Sequence, residues 1–313
     1  DIIHLHWINQ GFLSLRDIER LVKLNKPIVW TMHDMWPCTG ICHHARDCEK
    51  FQTECESCFF LKSKGKDLST SVFDKKMSLY KDANITFVGC SRWLSGRGKK
   101  SYLLRGKAVL SIPNPIDTKV YHPMDQGMAR ELLGLPSGKR LLLFGALNVT
   151  DKRKGIDYLI EALRRMEKQD VELVVFGQVK DDIRGLFPVP IHSMGYLSDE
   201  SKIVALYNAV DMFITSSLEE NLPNTIMESM ACGTPCVGFE IGGIPEMIDH
   251  RVNGYVANYK DAGDLANGIQ WVLEHEDRLA LSDACVKKVQ ENYTEEVVAK
   301  QYTTLYEKLL KGE

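Results

Sequence analysis

The feature that most constrains the fold of this chain is a repeated alternation of short apolar runs with stretches of helical periodicity. Parallel strands cannot be joined by a tight turn and need a crossover, which is usually a helix. The alternation therefore predicts an α/β protein with parallel sheets. Nine apolar runs have the length expected of buried strands: residues 2–7, 27–33, 85–90, 108–113, 140–146, 171–177, 191–196, 212–217 and 235–239.

A proline-bearing segment, IPNPIDTKVYHP, divides these strands into two groups. Its three prolines disfavour helix, so we expect the domain boundary there. We predict an amino-terminal domain over residues 1–123, completed by a final helix over 294–311, and a second domain over 124–293. The first group holds only four of the nine strands, whereas the second has a full set for a doubly wound domain. We therefore expect the amino-terminal domain to be incomplete.

The charge is divided unevenly along the chain. Residues 1–130 carry 20 Lys and Arg against 13 Asp and Glu, while the whole chain has a net charge of −3. A basic half favours anionic partners such as lipid headgroups or phosphorylated carriers. The sequence pI near 6.3 argues against a dedicated nucleic-acid-binding protein.

Five of the nine cysteines fall within 21 residues: Cys38, Cys42, Cys48, Cys55 and Cys58. The last four follow the pattern C-x5-C-x6-C-x2-C, whose final CxxC pair is similar to one knuckle of a structural zinc site. We therefore predict structural zinc on these four thiolates. Disulfides and reduced thiols without a ligand remain the alternatives.

The strongest functional signal is SSLEENLPNTIMESMACGTPCVG, residues 216–238. A predicted strand ends there and a helix begins near Asn224, which places its first amides at the carboxyl edge of the sheet, where ligands bind. Glu220 would lie in the loop and Glu228 on the helix. Such a carboxylate can accept hydrogen bonds from ribose hydroxyls. The alternative is a solvated loop acid together with an acid that stabilises the helix start.

This stretch resembles the E-x7-E motif of the retaining glycosyltransferases of family 4, which have the GT-B fold. Further segments resemble that family in the same order: PNPID, DKRKGIDYLIEAL, GYLSDESKIVALYNAVDMFITSS and IGGIPEMIDHRVNGYV. In the amino-terminal half, HLHW and WTMHDMWPCTGICHH resemble a cysteine-bearing subgroup that acts in bacterial surface polysaccharide synthesis. The resemblance covers nearly the whole chain. It implies two doubly wound, Rossmann-like domains that face each other across a cleft.

The resemblance also implies roles for individual residues. Glu228 would bind the ribose of a nucleotide-diphosphate sugar, Glu220 would lie beside the donor sugar, and Lys154 would neutralise the diphosphate. His33 matches a histidine that lines the pocket from the amino-terminal domain. His33 and Glu220 are thus the expected catalytic residues. We also expect His4 and His6 to point to opposite faces of their strand, which makes His6 the better candidate of the two.

Backbone groups complete the expected donor site. Asn224 and Thr225 would approach the phosphates through helix-start amides, and the base would be read by Gly195, Tyr196 and Leu197. One position departs from the family. Many members have an arginine where this chain has Ala146, so we expect Arg153 or Lys152 to substitute.

The resemblance implies retaining transfer of a sugar from a nucleotide-diphosphate donor to a glycan or lipid-linked glycan. No Asp-x-Asp metal motif occurs, so we expect no cofactor in catalysis. The alternatives are a non-hydrolysing sugar-nucleotide epimerase and an inactive nucleotide-sugar-binding fragment. We expect a cytoplasmic protein with peripheral contact at the inner face of the plasma membrane. The basic run RWLSGRGKKSYLLRGK, residues 92–107, suits such contact, and a solvated face is its alternative.

Overall fold

The computed structural model describes residues 1–166, 170–178 and 184–312. These residues form two compact units. The first contains Asp1–Pro113 together with the end of the chain from Val298, and the second contains Asn114–Val297. The second unit therefore begins inside the proline-bearing segment. Within the described part of the chain, no helix is both long and apolar enough to cross a membrane.

The first unit is built on a parallel sheet of four strands in the order β1-β2-β3-β4. Every residue of the two central strands is buried, as expected when helices cover both faces of a parallel sheet. The strands and the helices between them are β1 Ile3–Leu5, α1 Leu15–Val22, β2 Ile28–Met32, α2 Leu68–Lys81, β3 Ile85–Gly89, α3 Arg92–Lys100 and β4 Val109–Ser111.

The last helix of the chain, α11 Glu295–Lys311, packs on this first sheet. Val298 and Leu305 are buried against residues of β2 and β3 and against Ile112. The burial of such aliphatic side chains is the main force that holds the helix there. The end of the chain thus supplies part of the core of the first unit.

The second unit has a parallel sheet of six strands in the order β10-β9-β8-β5-β6-β7. Its elements are α4 Gln126–Leu133, β5 Arg140–Asn148, α5 Ile156–Arg165, β6 Val171–Gln178, β7 Ile191–Gly195, α6 Glu200–Ala209, β8 Met212–Thr215, α7 Asn224–Ala231, β9 Cys236–Phe239, α8 Ile244–Met247, β10 Gly254–Ala257, α9 Ala262–Leu273 and α10 Arg278–Asn292.

Each of the nine predicted strands overlaps an observed one, so the prediction of parallel sheets is confirmed. The tenth strand, β10, was not predicted. It has four residues and begins with Gly254, which looks like part of a turn in the sequence Asn-Gly. In the structure a Cβ at Gly254 would lie 2.2 Å from the carbonyl oxygen of Cys236. Glycine is therefore required by close strand packing at this position.

Candidate functional site

The candidate donor site lies where the chain leaves β8 and enters α7. Two hydrogen bonds attach this segment to the turn that precedes α5. The amide of Leu218 donates to the carbonyl of Arg153 at 2.7 Å, and the hydroxyl of Ser216 donates to the carbonyl of Lys154 at 2.9 Å. The two loops therefore form one connected surface at the carboxyl edge of the second sheet.

Gly155 makes this close approach possible. Its backbone φ is +65°, and a Cβ there would lie only 2.0 Å from the carbonyl oxygen of Ser216. A residue with a side chain would meet both the strain of the left-handed conformation and a collision with backbone. The Lys-Gly pair of the sequence motif thus has a physical cause, because the glycine brings Lys154 next to the loop after β8.

Lys154 forms an ion pair with Glu220. The side chains retain 32% and 15% of their exposure, respectively, so both can still be reached by a ligand. The Lys154 ammonium therefore already has a carboxylate partner when a diphosphate approaches. A phosphate that binds Lys154 would share it with the carboxylate, and a sugar hydroxyl could donate to Glu220 at the same place.

A second loop, which contains Gly242 and Gly243, contacts the backbone of the segment that carries Glu220. Gly242 has a φ of +59°, and a Cβ there would lie 2.0 Å from the carbonyl oxygen of Glu220. The next amide, of Gly243, donates to the carbonyl of Asn221 at 2.6 Å. The conformation of the loop after β8 is therefore fixed on both sides by glycine-dependent backbone contacts.

Glu228 lies in the second turn of α7 and is partly buried. The buried Tyr207 hydroxyl donates to Oε2 of Glu228 at 2.8 Å. Burial raises the pKa of Glu228, and the nearby Glu200 carboxylate adds to this, while the hydrogen bond from Tyr207 opposes it. Burial, Glu228 and Glu200 also raise the pKa of Tyr121. The carboxylate is thus oriented by one tyrosine within a small acidic cluster.

The start of α7 carries amides that no capping side chain satisfies. Its N-cap residue is Pro223, which makes no side-chain hydrogen bond to the helix. The amide of Ile226 donates to the carbonyl of Pro223 at 3.1 Å. The first turn therefore presents the amides of Asn224 and Thr225, which have no partner within the helix, together with the positive end of the helix dipole. Asn224 is exposed there and Thr225 is half-buried. An anion such as a phosphate would be stabilised at this position.

The residues expected to read the base lie at the last position of β7 and directly after it. Gly195 has a φ of +64° with open space where a Cβ would be, Tyr196 is 62% exposed, and Leu197 is half-buried. Arg153 and Lys152, the expected substitutes for the missing arginine, both lie in the turn before α5. The guanidinium of Arg153 pairs with the carboxylate of Asp151 at 2.7 Å, whereas Lys152 is exposed.

His33 follows β2 in the first unit, and its Nε2 lies 3.2 Å from Nδ1 of His6. Burial lowers the pKa of both imidazoles. The expectation that His4 and His6 face opposite ways is wrong, since their ring centroids lie 4.2 Å apart. Residues two apart on a strand share a face.

The sequence did not single out an aspartate beside His33. Oδ2 of Asp34 accepts from the indole of Trp7 at 2.9 Å and lies 2.7 Å from Nδ1 of His43, while its Oδ1 accepts from the amide of Trp36 at 2.8 Å. Burial acts to raise the pKa of Asp34, but these donors outweigh it and the pKa is lowered. An aspartate directly after a buried strand was the available signal.

The start of the cysteine-rich loop, residues 38–58, is bound by Lys76 of α2. Its fully buried ammonium donates to the carbonyls of Trp36, Thr39 and Gly40. All nine cysteines are free thiols. Among the described residues, no group of three or more His, Cys, Asp or Glu side chains is arranged to hold a metal ion. The zinc on Cys42, Cys48, Cys55 and Cys58 stays a prediction.

Part of the second unit is similar to a known protein family. Residues 138–275 match the family Glycosyl transferases group 1. The N-acetyl-alpha-D-glucosaminyl L-malate synthase of Bacillus anthracis is 25% identical over 213 residues, which cover 66% of this chain and 55% of that protein. The N,N'-diacetylbacillosaminyl-diphospho-undecaprenol alpha-1,3-N-acetylgalactosaminyltransferase of Campylobacter jejuni is 33% identical over 118 residues, 37% of this chain and 31% of that one. The chain spans about half the length of the curated relatives that it matches first.

Among solved structures, Anabaena Alr3699/HepE in complex with UDP is similar with a TM-score of 0.74 and 17% identity. The similarity covers 98% of this chain and 78% of that one. At this identity the likeness concerns the fold alone. The GT-B fold expected from the sequence is confirmed by this match and by the two parallel sheets.

Proposed function

We propose that this chain is a retaining glycosyltransferase that uses a nucleotide-diphosphate sugar, a proposal supported by the match of residues 138–275 to the family Glycosyl transferases group 1. Its acceptor is a glycan or lipid-linked glycan in bacterial surface polysaccharide synthesis. The observation that carries the proposal is the Glu228 carboxylate, held by Tyr207 four residues after the uncapped start of α7. One helix thereby offers a hydroxyl-binding carboxylate and anion-binding amides.

The donor would bind through complementary groups of the second unit. Glu228 accepts hydrogen bonds from the ribose, the first amides of α7 receive the diphosphate, and the loop after β7 contacts the base. Lys154 stabilises the diphosphate while Glu220 accepts from a hydroxyl of the donor sugar. The ion pair between these two side chains supports a shared role, because it keeps both at the same end of the site.

In the reaction, the bond between the anomeric carbon and the diphosphate oxygen breaks, and its electron pair leaves with the nucleoside diphosphate. The acceptor hydroxyl oxygen bonds to the same carbon from the same face and transfers its proton to the departing diphosphate oxygen. Fixed amides and the Lys154 ammonium stabilise the charge that develops on the leaving group. No cofactor is part of this proposal. We also propose His33 as a catalytic residue.

Two names among the similar proteins support the substrates. The structure of HepE contains UDP, and the name of the Campylobacter enzyme includes a diphospho-undecaprenol acceptor. We therefore propose a UDP-sugar as the first donor to test and a sugar-bearing lipid diphosphate as the first acceptor class. A lipid-linked acceptor would place the reaction at the cytoplasmic face of a membrane.

A thermal-shift screen with UDP-, GDP- and ADP-sugars tests the donor site. We expect one nucleotide class to raise the Tm of the wild-type chain, and Glu228→Ala to abolish that rise. Glu131→Ala, which removes an exposed carboxylate from α4 of the same unit, is the matched control and should keep it. The site assignment fails if no nucleotide sugar stabilises the chain or if both variants respond like wild type.

Product analysis tests the reaction itself. Incubation of the stabilising donor with sugar-bearing lipid diphosphate acceptors should release the nucleoside diphosphate and extend the lipid-linked sugar with retention of the donor's anomeric configuration. A new sugar nucleotide formed without acceptor would identify an epimerase instead. Inversion at the anomeric carbon would contradict the retaining mechanism.

A further inference from the structure

The loop between the CxxC pair and α2 exposes three consecutive large apolar side chains. Phe59, Phe60 and Leu61 are exposed to 44%, 45% and 39%, respectively. The two phenyl rings lie 4.0 Å apart, and the guanidinium of Arg46 lies over both, 5.7 and 5.3 Å from their centroids. Apolar side chains exposed singly are common, but a contiguous group of this kind marks an interaction site. We call residues 59–66 the apolar loop.

Three lysines follow these apolar side chains in the apolar loop. Lys62, Lys64 and Lys66 are all exposed, and the apolar loop contains no acidic residue. The next carboxylate, of Asp67, caps α2 and accepts hydrogen bonds from the amides of Cys58 and Ser69, both at 2.8 Å. Of the preceding exposed acids, Glu54 lies directly before the CxxC pair and Glu56 lies within it. The loop therefore combines apolar side chains with positive charge.

The base of the loop is fixed by hydrogen bonds. The amide of Ser57 donates to the carbonyl of Gly65, and the amide of Gly65 donates back to Oγ of Ser57, both at 2.8 Å. The amide of Leu61 donates to the carbonyl of Cys58 at 3.1 Å. A loop that already has its bound shape loses little conformational entropy on binding.

We propose that the apolar loop is a membrane-docking site, which inserts Phe59, Phe60 and Leu61 into the interfacial region of an anionic bilayer. The lysines would remain among the headgroups and bind their phosphates. A stable protein partner normally needs an interface of about 1,000 Å² or more, which three side chains do not supply. A bilayer requires only a small apolar tip with basic residues around it.

The structure favours this loop over the basic run at 92–107. The leucines of that run, Leu94, Leu103 and Leu104, are buried in the first unit. Two of its cations are also engaged, since Arg97 pairs with Glu49 at 2.7 Å and Lys107 donates to backbone carbonyls. The run still exposes Lys99 and Lys100 at the end of α3. It offers charge, while the apolar loop offers charge and inserting side chains together.

Vesicle co-sedimentation of the full chain tests the proposal. The probes are phosphatidylcholine vesicles with and without one-third phosphatidylglycerol, at low and at high salt. We expect binding to the anionic vesicles, weaker binding at high salt, and little binding to the neutral ones. Phe60→Ser with Leu61→Ser should weaken binding at least about tenfold, because two of the three inserting side chains are lost. Lys62→Gln with Lys64→Gln and Lys66→Gln should weaken it by about fivefold for each lysine.

Two matched variants complete the test. Leu132→Ser removes a leucine that is 65% exposed on α4, and Lys99→Gln with Lys100→Gln removes exposed charge from α3. The leucine control should bind like wild type, and the α3 variant should lose less than the loop variants. The proposal is overturned if the chain does not bind anionic vesicles, if it binds neutral vesicles equally well, or if both loop variants bind anionic vesicles like wild type. A donor-induced thermal shift measured on the same variants reports separately on the proposed transferase site, which the loop does not include.

Discussion

The hydroxyl of Tyr306 lies 2.6 Å from Nδ1 of His4 and so joins the last helix of the chain to its first strand. The other imidazole nitrogen, Nε2, lies 2.8 Å from the hydroxyl of Thr31, which in turn lies 2.8 Å from the hydroxyl of Tyr302. Burial lowers the pKa of His4 to about 4, with His6 and His33 adding to this effect. A neutral histidine is therefore part of the attachment of α11 to the first sheet.

This arrangement predicts that the first unit loses stability on acidification. Between pH 6.5 and about 4 the unfolded chain binds a proton at His4 that the folded chain does not, so the free energy of unfolding falls as the pH falls. His4→Asn should flatten this dependence when thermal unfolding is followed across that window. His122→Asn, at an exposed position, should leave it unchanged. An identical pH profile in His4→Asn and wild type would contradict the assignment.

The buried carboxylate of Asp211 leads to a prediction about the stability of the second unit. Asp211 is 5% exposed and accepts from the guanidinium groups of Arg130 at 3.1 Å and Arg278 at 2.7 Å, and from the amide of Leu141 at 2.7 Å. Asp211→Ala leaves the buried Arg130 without its counter-charge and should cost about 3–5 kcal/mol of unfolding free energy. Asp170→Ala breaks an exposed pair with Lys139 and should cost about 1 kcal/mol or less. Chemical denaturation measures both, and equal losses would refute the distinction.

Sequence patterns predicted the strands and the order of the site segments, because burial periodicity and motif spacing are local properties. They could not predict which side chains meet across the fold. The ion pair of Lys154 with Glu220 and the contact of Asp34 with His43 depend on loops that packing brings together. The strand at Gly254 was missed for the same reason, since only its neighbour on β9 requires a glycine there.

The cysteine-rich loop is another place where the sequence pattern does not determine which side chains meet. The spacing of Cys42, Cys48, Cys55 and Cys58 predicts about one zinc per chain. Metal analysis of the purified chain would measure it, and a chelator should then lower the Tm. Less than about 0.2 zinc per chain would end that prediction. Thiol titration would then distinguish disulfides from the free thiols that the structure contains.

Glu228 predicts opposite effects of pH on donor affinity and on stability. Burial raises the pKa of Glu228, so this carboxylate becomes protonated at a higher pH than an exposed carboxylate does. The affinity for a nucleotide sugar should therefore fall on acidification. The free energy of unfolding should rise over the same range, because the folded chain then binds the proton more tightly than the unfolded chain. Glu228→Gln should remove both dependences. Tyr207→Phe should move them to higher pH, since the hydrogen bond that lowers the pKa of Glu228 is lost.

A comparison of Gly155 with Gly134 distinguishes the stability cost of backbone strain from the cost of a steric collision. Both have a left-handed conformation, with φ of +65° and +64°, but a Cβ at Gly155 meets the carbonyl of Ser216 at 2.0 Å while Gly134 has open space. Gly134→Ala should therefore cost about 1 kcal/mol, from conformation alone. Gly155→Ala should cost several times more and displace Lys154 from Glu220. Chemical denaturation measures the first effect, and the donor-induced Tm shift measures the second. Equal costs, or an intact Tm shift in Gly155→Ala, would show that the 2.0 Å approach does not position Lys154.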